Sequence, residues 1–380
     1  MCRLRDECSM IQFFDLTKQY QDVGKEIEES VRDLLRSGKY ILGENVSKFE
    51  SNFAEYIGTK YCVGVANGTD ALMLSLSCLP KNGPDEVITV PNSYVATVEA
   101  IIHAGFKPVF VDIDPETGLM DLGKLAEKIN INTIAVIPVH LYGQCVNMDK
   151  LDMVVELAGI SNEIFVIEDA CQAHGAKFNH KKAGSFGDMG CFSFYPSKNL
   201  GCAGDGGAIT TDNERFYHKI LAFRDHGQTE KSHHKYIGYN SRFDEIQACI
   251  LDIKLKRLDR WNDNRAKVSW IYDCQFNDTS ADIDIKPLKV QNDCVAVFHL
   301  YVIKTSKRND LIEILQKEEI QFGIHYPIPI HLQSAYQYLG YKEGDFPMTE
   351  QFCKEIISLP MYPEMSLSQI HLIGRKILYG

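Results

Sequence analysis

Between residues 22 and 58 apolar positions recur at helical spacing in two stretches, VGKEIEESVRDLLRSG and NVSKFESNFAEYIG, which predict amphipathic helices stopping at Gly38 and Gly58. The rhythm then shortens. YCVGVA (61–66), EVITVP (86–91), PVFVDI (108–113), TIAVIPV (133–139) and FVIEDA (165–170) read as strands rich in β-branched and aromatic residues. Between them TDALMLSLSCL (69–79), SYVATVEAIIHAG (93–105), a segment near 121–129 and MDKLDMVVELAG (148–159) read as helices. Such alternation predicts a mainly parallel sheet covered by helices on both faces. CFSFYP (191–196) and GGAITT (206–211) add two strands close enough in sequence to run antiparallel. One long helical pattern follows from about Phe243 to Asp273, with Phe243, Ile246, Ile250, Ile253, Leu255 and Leu258 on its apolar side. After it come HLYVIK (299–304), a helix over RNDLIEILQKEE (308–319) and the proline-rich loop HYPIPIHL (325–332). The expected fold class is α/β, with a large domain over residues 10–259 and a smaller α+β domain over 260–380.

Charge narrows the choice of partners. The 380 residues carry 40 Lys and Arg against 51 Asp and Glu, a formal charge of −11, which argues against nucleic acid or an acidic membrane. Twelve cysteines are scattered without a C-x2-C pair or a tight Cys/His cluster, so free thiols in a reducing compartment are expected rather than zinc. No apolar run approaches the roughly 18 residues that span a bilayer, and MCRLRDECSM lacks a signal-peptide core, so the expected location is cytoplasmic. No phosphate loop of the G-x-x-x-x-G-K type and no G-x-G-x-x-G follows a strand, which disfavours nucleotide hydrolysis and dinucleotide binding.

In an open α/β sheet, ligands collect at the carboxyl ends of strands, and three predicted strands end in polar or glycine-rich residues. Ala66-Asn67-Gly68-Thr69-Asp70 opens a helix, either as a simple cap or as a phosphate cradle at its N-terminus. Glu168-Asp169 closes the apolar run IFVI, where carboxylates are costly unless something cationic faces them; the bland reading is again a helix cap. Ser193 and Lys198 lie in FSFYPSKNLG ahead of Gly204-Asp205-Gly206-Gly207, a poor setting for a solvated surface lysine. Partial burial lowers a lysine's pKa and yields an amine able to form a Schiff base. Asp169 followed 29 residues later by Lys198 is a coherent pyridoxal phosphate (PLP) constellation. His140, Tyr142 and Gln144 are expected at the same sheet edge, and His174 along a helix after Asp169.

The segments NGTDAL (67–72), EDACQAHGA (168–176), GSFGD (184–188), FSFYPSKNLG (192–201), GDGGA (204–208) and YNSRFDEIQA (239–248) resemble the PLP-dependent nucleotide-sugar aminotransferases of fold-type I, the aspartate aminotransferase superfamily. The resemblance implies roles. Lys198 would carry PLP and shuttle the proton, and Asp169 would pair with the pyridinium nitrogen. Gln172 would contact the phenolic oxygen side and Tyr94 would stack on the ring. Gly68, Thr69 and Ser193 would hold the phosphate, helped by Asn240 of a neighbouring subunit in a homodimer. Lysine rather than histidine at position 198 points to amino transfer instead of sugar dehydration. The loop around His325, Tyr326 and His331 is similar to that of C3 aminotransferases, which implies transfer from L-glutamate to a dTDP-3-oxo-6-deoxyhexose. Lys231, Lys235 and Arg308 are the candidate cations for its diphosphate. C4 amination of a 4-oxo sugar, or a non-catalytic PLP-binding regulator, stays open at this point.

Overall fold

The computed structural model describes residues 10–81, 83, 85–158, 163–277 and 284–379; the first nine residues, on which the signal-peptide expectation rests, lie outside them. The two amphipathic stretches form α1 (Leu16–Ser37) and α2 (Glu44–Ile57). They stop where expected, with Gly38 and Gly58 at φ of 69° and 92°, left-handed conformations open to glycine.

Seven strands follow: β1 (Tyr61–Val65), β2 (Glu86–Thr89), β3 (Lys107–Phe110), β4 (Thr133–Val136), β5 (Phe165–Asp169), β6 (Met189–Ser193) and β7 (Gly207–Thr211). They form one sheet in the order β1-β7-β6-β5-β4-β2-β3. Strand β7 runs antiparallel to both neighbours, and every other ladder is parallel. Helices α3 (Gly68–Ser77), α4 (Ala96–His103), α5 (Leu122–Lys128) and α6 (Met148–Leu157) connect strands as the sequence rhythm predicts. Both sheet faces are buried, which explains why the strands read as continuous apolar runs. Cys191 joins the core beneath α3 and α4, whereas its neighbour Phe192 points to the opposite face against Phe53.

The pattern over 243–273 proves to be two helices, α8 (Glu245–Leu255) and α9 (Leu258–Phe276), after α7 (Glu214–Arg224). The break has a packing reason. Helix α8 lies against α1 and α2, but α9 lies against the last helix, Leu367–Tyr379. A second, antiparallel sheet joins β8 (Lys286–Pro287), β9 (Tyr301–Lys304) and β10 (Ile356–Leu359). The chain between them returns to the large sheet, where Ile330, Tyr336 and Phe346 bury against Val98 and Phe110. Among the described residues no helix is long and apolar enough to cross a membrane.

Candidate active site

Register brings the polar strand ends together. Asp169 lies opposite Cys191, Ser193 opposite Gly207, and Gly207 opposite Val65, so β5, β6 and β1 deliver their carboxyl ends to one edge. A cavity of about 720 Å³ opens there, walled by Gly68, Thr69, Tyr94, Asp169, Gln172, Ser193, Lys198, His325 and Tyr326.

Side chains alternate along β5, and this separates the two carboxylates. Glu168 is fully buried away from the cavity and accepts N–H bonds from Gly184 (2.7 Å), Phe186 (2.7 Å) and Gly187 (2.8 Å). His140 Nδ1 accepts from Val146 N at 3.1 Å, so its proton sits on Nε2 and is donated to Glu168 at 2.9 Å. The compensation expected from a cation thus comes from peptide groups and a neutral imidazole, and His140 is sealed from the cavity. Gln144 also turns aside, donating to Thr117 O at 3.0 Å. Glu168→Ala should lower unfolding free energy by about 3 kcal/mol in urea titration, because the buried Gly184 N–H and His140 ring and the part-buried Phe186 and Gly187 N–H groups lose their acceptor.

Asp169, only 6 % exposed, remains at the cavity wall. No helix follows it; residues 170–176 turn instead, so neither the cap reading nor a helical setting for His174 holds. Its Oδ2 accepts from Thr97 Oγ1 at 2.8 Å and its Oδ1 from Cys171 N at 3.2 Å. His174 is buried between Phe192 and Phe194, and burial pushes it down to about 3, so the ring is neutral.

Beyond β6 the chain turns, with Lys198 N donating to Tyr195 O at 2.8 Å. This turn sets the Lys198 amine in the cavity, where burial lowers its pKa and the nearby Asp169 carboxylate opposes that shift. Within the run 66–70, Asn67 is the cap of α3: its Oδ1 accepts from Asp70 N at 2.8 Å. The helix therefore presents its first backbone groups, at Gly68 and Thr69, to the cavity. A Cβ at Gly68 would lie 2.6 Å from that of Ser193, so any larger residue fills this cradle.

Gln172 Oε1 accepts from Tyr142 N at 2.8 Å, and its Nε2 reaches Tyr326 Oη at 3.3 Å. The Tyr326 ring stands 5.6 Å from that of Tyr94, with its phenol pKa raised by burial. His325 Nδ1 lies 2.9 Å from Ser358 Oγ; burial, then the charge of Lys198, hold its pKa at about 4.

Other sequence candidates lie elsewhere in the chain. His331, 1 % exposed, contacts Glu350 Oε1 at 3.1 Å and lies edge-on to Phe346, outside the cavity. Arg308 donates to Cys353 O at 2.6 Å. Lys231 and Lys235 are exposed at a hairpin whose strands are Gln228–Glu230 and His233–His234. Asn240 is exposed and forms an isolated backbone bridge with Asp225. Conversely, Thr97, Ser93 and His299 line the cavity without having been singled out in the sequence. Thr97 and Ser93 sit in a predicted helix and His299 opens a predicted strand, so pattern alone gave them no chemical signal.

The donor set fits PLP: an amine for its aldehyde, a carboxylate for a protonated ring nitrogen, and a helix N-terminus with a serine hydroxyl for its phosphate. Comparisons agree with this fit. Residues 21–378 match the DegT/DnrJ/EryC1/StrS aminotransferase family. A "Pleiotropic regulatory protein" of Geobacillus stearothermophilus is 40% identical over 367 residues, 97% of each chain. A dTDP-3-amino-3,6-dideoxy-alpha-D-galactopyranose transaminase of Aneurinibacillus thermoaerophilus is 40% identical, over 97% of this chain and 99% of the other. The crystal structure of S. venezuelae DesV in complex with a ketimine intermediate superposes with a TM-score of 0.92 at 34% identity, covering 97% of each chain. That of ntda from Bacillus subtilis, with bound cofactor PMP, gives 0.87 at 30% identity, covering 97% of this chain and 84% of the other. With both the cavity's donors and nearly its whole length in agreement, the chain belongs to the DegT/DnrJ/EryC1/StrS aminotransferase family.

Proposed function

We propose that this protein is a PLP-dependent aminotransferase moving the amino group of L-glutamate to C3 of a dTDP-linked 3-oxo-6-deoxyhexose. The observation that carries the chemistry is the meeting of the Lys198 amine and the Asp169 carboxylate in one cavity with the N-terminus of α3. Bound there, PLP supplies an aldehyde that accepts the amino group and a ring that withdraws electrons from the reacting carbon. Lys198 Nζ holds the cofactor, takes the proton from the donor's α-carbon and returns a proton to the sugar carbon. Burial raises the share of neutral amine available for this task. Asp169 keeps the ring nitrogen protonated. Gln172, braced by Tyr142, would hold the phenolic oxygen side, and Tyr94 would cover the ring. Backbone groups of Gly68 and Thr69 and the Ser193 hydroxyl hold the phosphate.

The substrate reading is supported by the activity named for the Aneurinibacillus relative and by His325 and Tyr326 at the cavity wall. A neutral imidazole and a phenol there offer donors and acceptors for sugar hydroxyls. Purified enzyme should aminate a dTDP-3-oxo-6-deoxyhexose at least about tenfold faster than its 4-oxo isomer, a preference of about 1.4 kcal/mol. Mass detection of the amino sugars tests this; efficient use of only the 4-oxo sugar overturns the regiochemistry and leaves amino transfer standing.

Exposure of Asn240, Lys231 and Lys235 in the single chain supports a homodimer in which this hairpin reaches the neighbour's cavity. Mixed Lys198→Ala and Asn240→Ala subunits, each inactive alone, should regain part of the activity, because one site per heterodimer is then intact. No recovery despite proven exchange counts against sharing. The regulatory relative supports a second reading, a PLP-binding regulator without turnover. Complete absence of glutamate-dependent amination across nucleotide-linked keto sugars would favour it.

A further inference from the structure

Ser93, Thr97 and Asp169 form a chain of three buried polar groups that leads from α4 to the floor of the cavity. Thr97 is 1 % exposed and Ser93 4 %. Thr97 Oγ1 lies 2.8 Å from Asp169 Oδ2, and Ser93 Oγ lies 2.8 Å from Thr97 Oγ1. Direction follows from valence. An ionised carboxylate only accepts, so Thr97 must spend its single proton on Asp169; its oxygen then accepts the proton of Ser93. Hydrogen bonds in such a chain polarise one another where the dielectric is low, and both hydroxyls belong to almost fully buried residues.

We propose that Thr97, supported by Ser93, is a positioning residue that acts through Asp169. It fixes the rotation of the carboxylate and satisfies Oδ2, so that the carboxylate meets the cofactor's ring nitrogen in one orientation. The inference rests on the aminotransferase reading above and deepens it. Local structure favours the role: Tyr94, Ala96 and Thr97 all line the same cavity, so the start of α4 supplies both a ring for the cofactor's face and the brace for its carboxylate. Cys171 N, at 3.2 Å, engages Oδ1 of Asp169, the oxygen opposite the one that Thr97 holds.

The test is reconstitution of apo-enzyme with PLP, followed by cofactor fluorescence and by the pH titration of the visible absorbance. Thr97→Val keeps the shape and removes the donor. It should weaken PLP binding about tenfold and move the absorbance midpoint to higher pH, since a less firmly protonated ring withdraws less charge from the imine. Thr97→Ser should restore affinity to within about threefold. Ser93→Ala should act in the same direction with a smaller effect. In an Asp169→Ala background, where Thr97 has no side-chain oxygen to engage, Thr97→Val should change affinity by less than about twofold, which separates action through the carboxylate from a general packing loss. Equal losses in both backgrounds, or wild-type affinity and titration for Thr97→Val, overturn the proposal. If Thr97→Val does not fold, the Ser93→Ala and Thr97→Ser pair decides by the same two readouts. Wild-type protein that takes up no PLP at all instead overturns the underlying cofactor reading.

Discussion

Lys198→Ala should reduce glutamate-dependent amination by on the order of 10⁴-fold, because one group is asked both to hold the cofactor and to move the proton. Fold stability should change little by comparison, since the residue sits in a turn whose Lys198 N to Tyr195 O bond is made by the backbone. Borohydride treatment of the wild type should fix the cofactor to the peptide containing Lys198, and the variant should show no such adduct. The reaction of apo-enzyme with PLP adds a pH test with a definite sign. Only unprotonated amine condenses, so the rate rises with pH through the Lys198 pKa and levels off above it. Burial lowers that pKa from the ordinary 10.5, so the plateau should arrive at lower pH than for a free lysine side chain. Normal turnover by Lys198→Ala, or an adduct at another residue, removes Lys198 from its role.

Asp169→Asn should cost on the order of 10²- to 10³-fold in turnover while leaving some PLP bound. The substitution is nearly isosteric, and Thr97 Oγ1 can still donate to the remaining amide oxygen. What is lost is negative charge at the cavity wall, and with it the reason for a ring nitrogen to stay protonated. Steady-state kinetics should show the loss in both half-reactions, because each requires the electron-withdrawing ring. A variant impaired only with the sugar substrate would place Asp169 at the sugar instead of at the ring nitrogen.

These predictions draw on residues that were legible in different degrees. Strand and helix succession was readable because local spacing reflects which face of each element is buried, and Gly38 and Gly58 marked helix ends through their backbone freedom. Lys198 and Asp169 stood out because charged groups closing apolar runs need a reason to be there. Spacing left the role of Glu168 open, although it adjoins Asp169. Only the strand's alternation sends one carboxylate to the cavity and the other to a shell of peptide N–H groups.

Long-range pairing decided the remainder. Thr97 meets Asp169 across 72 residues of sequence, which no local pattern encodes. The proline-rich loop shows the same limit within six residues. His325 and His331 belong to one chemically similar segment, yet only His325 reaches the cavity. Burial of Ile330 and Phe346 against Val98 and Phe110 turns His331 inward to Glu350. Sequence by itself determined the kinds of groups available and the order of elements, since both follow from local chemistry and periodicity. Tertiary structure decided which groups share a cavity, because strand register, face alternation and core packing act between residues far apart in the chain.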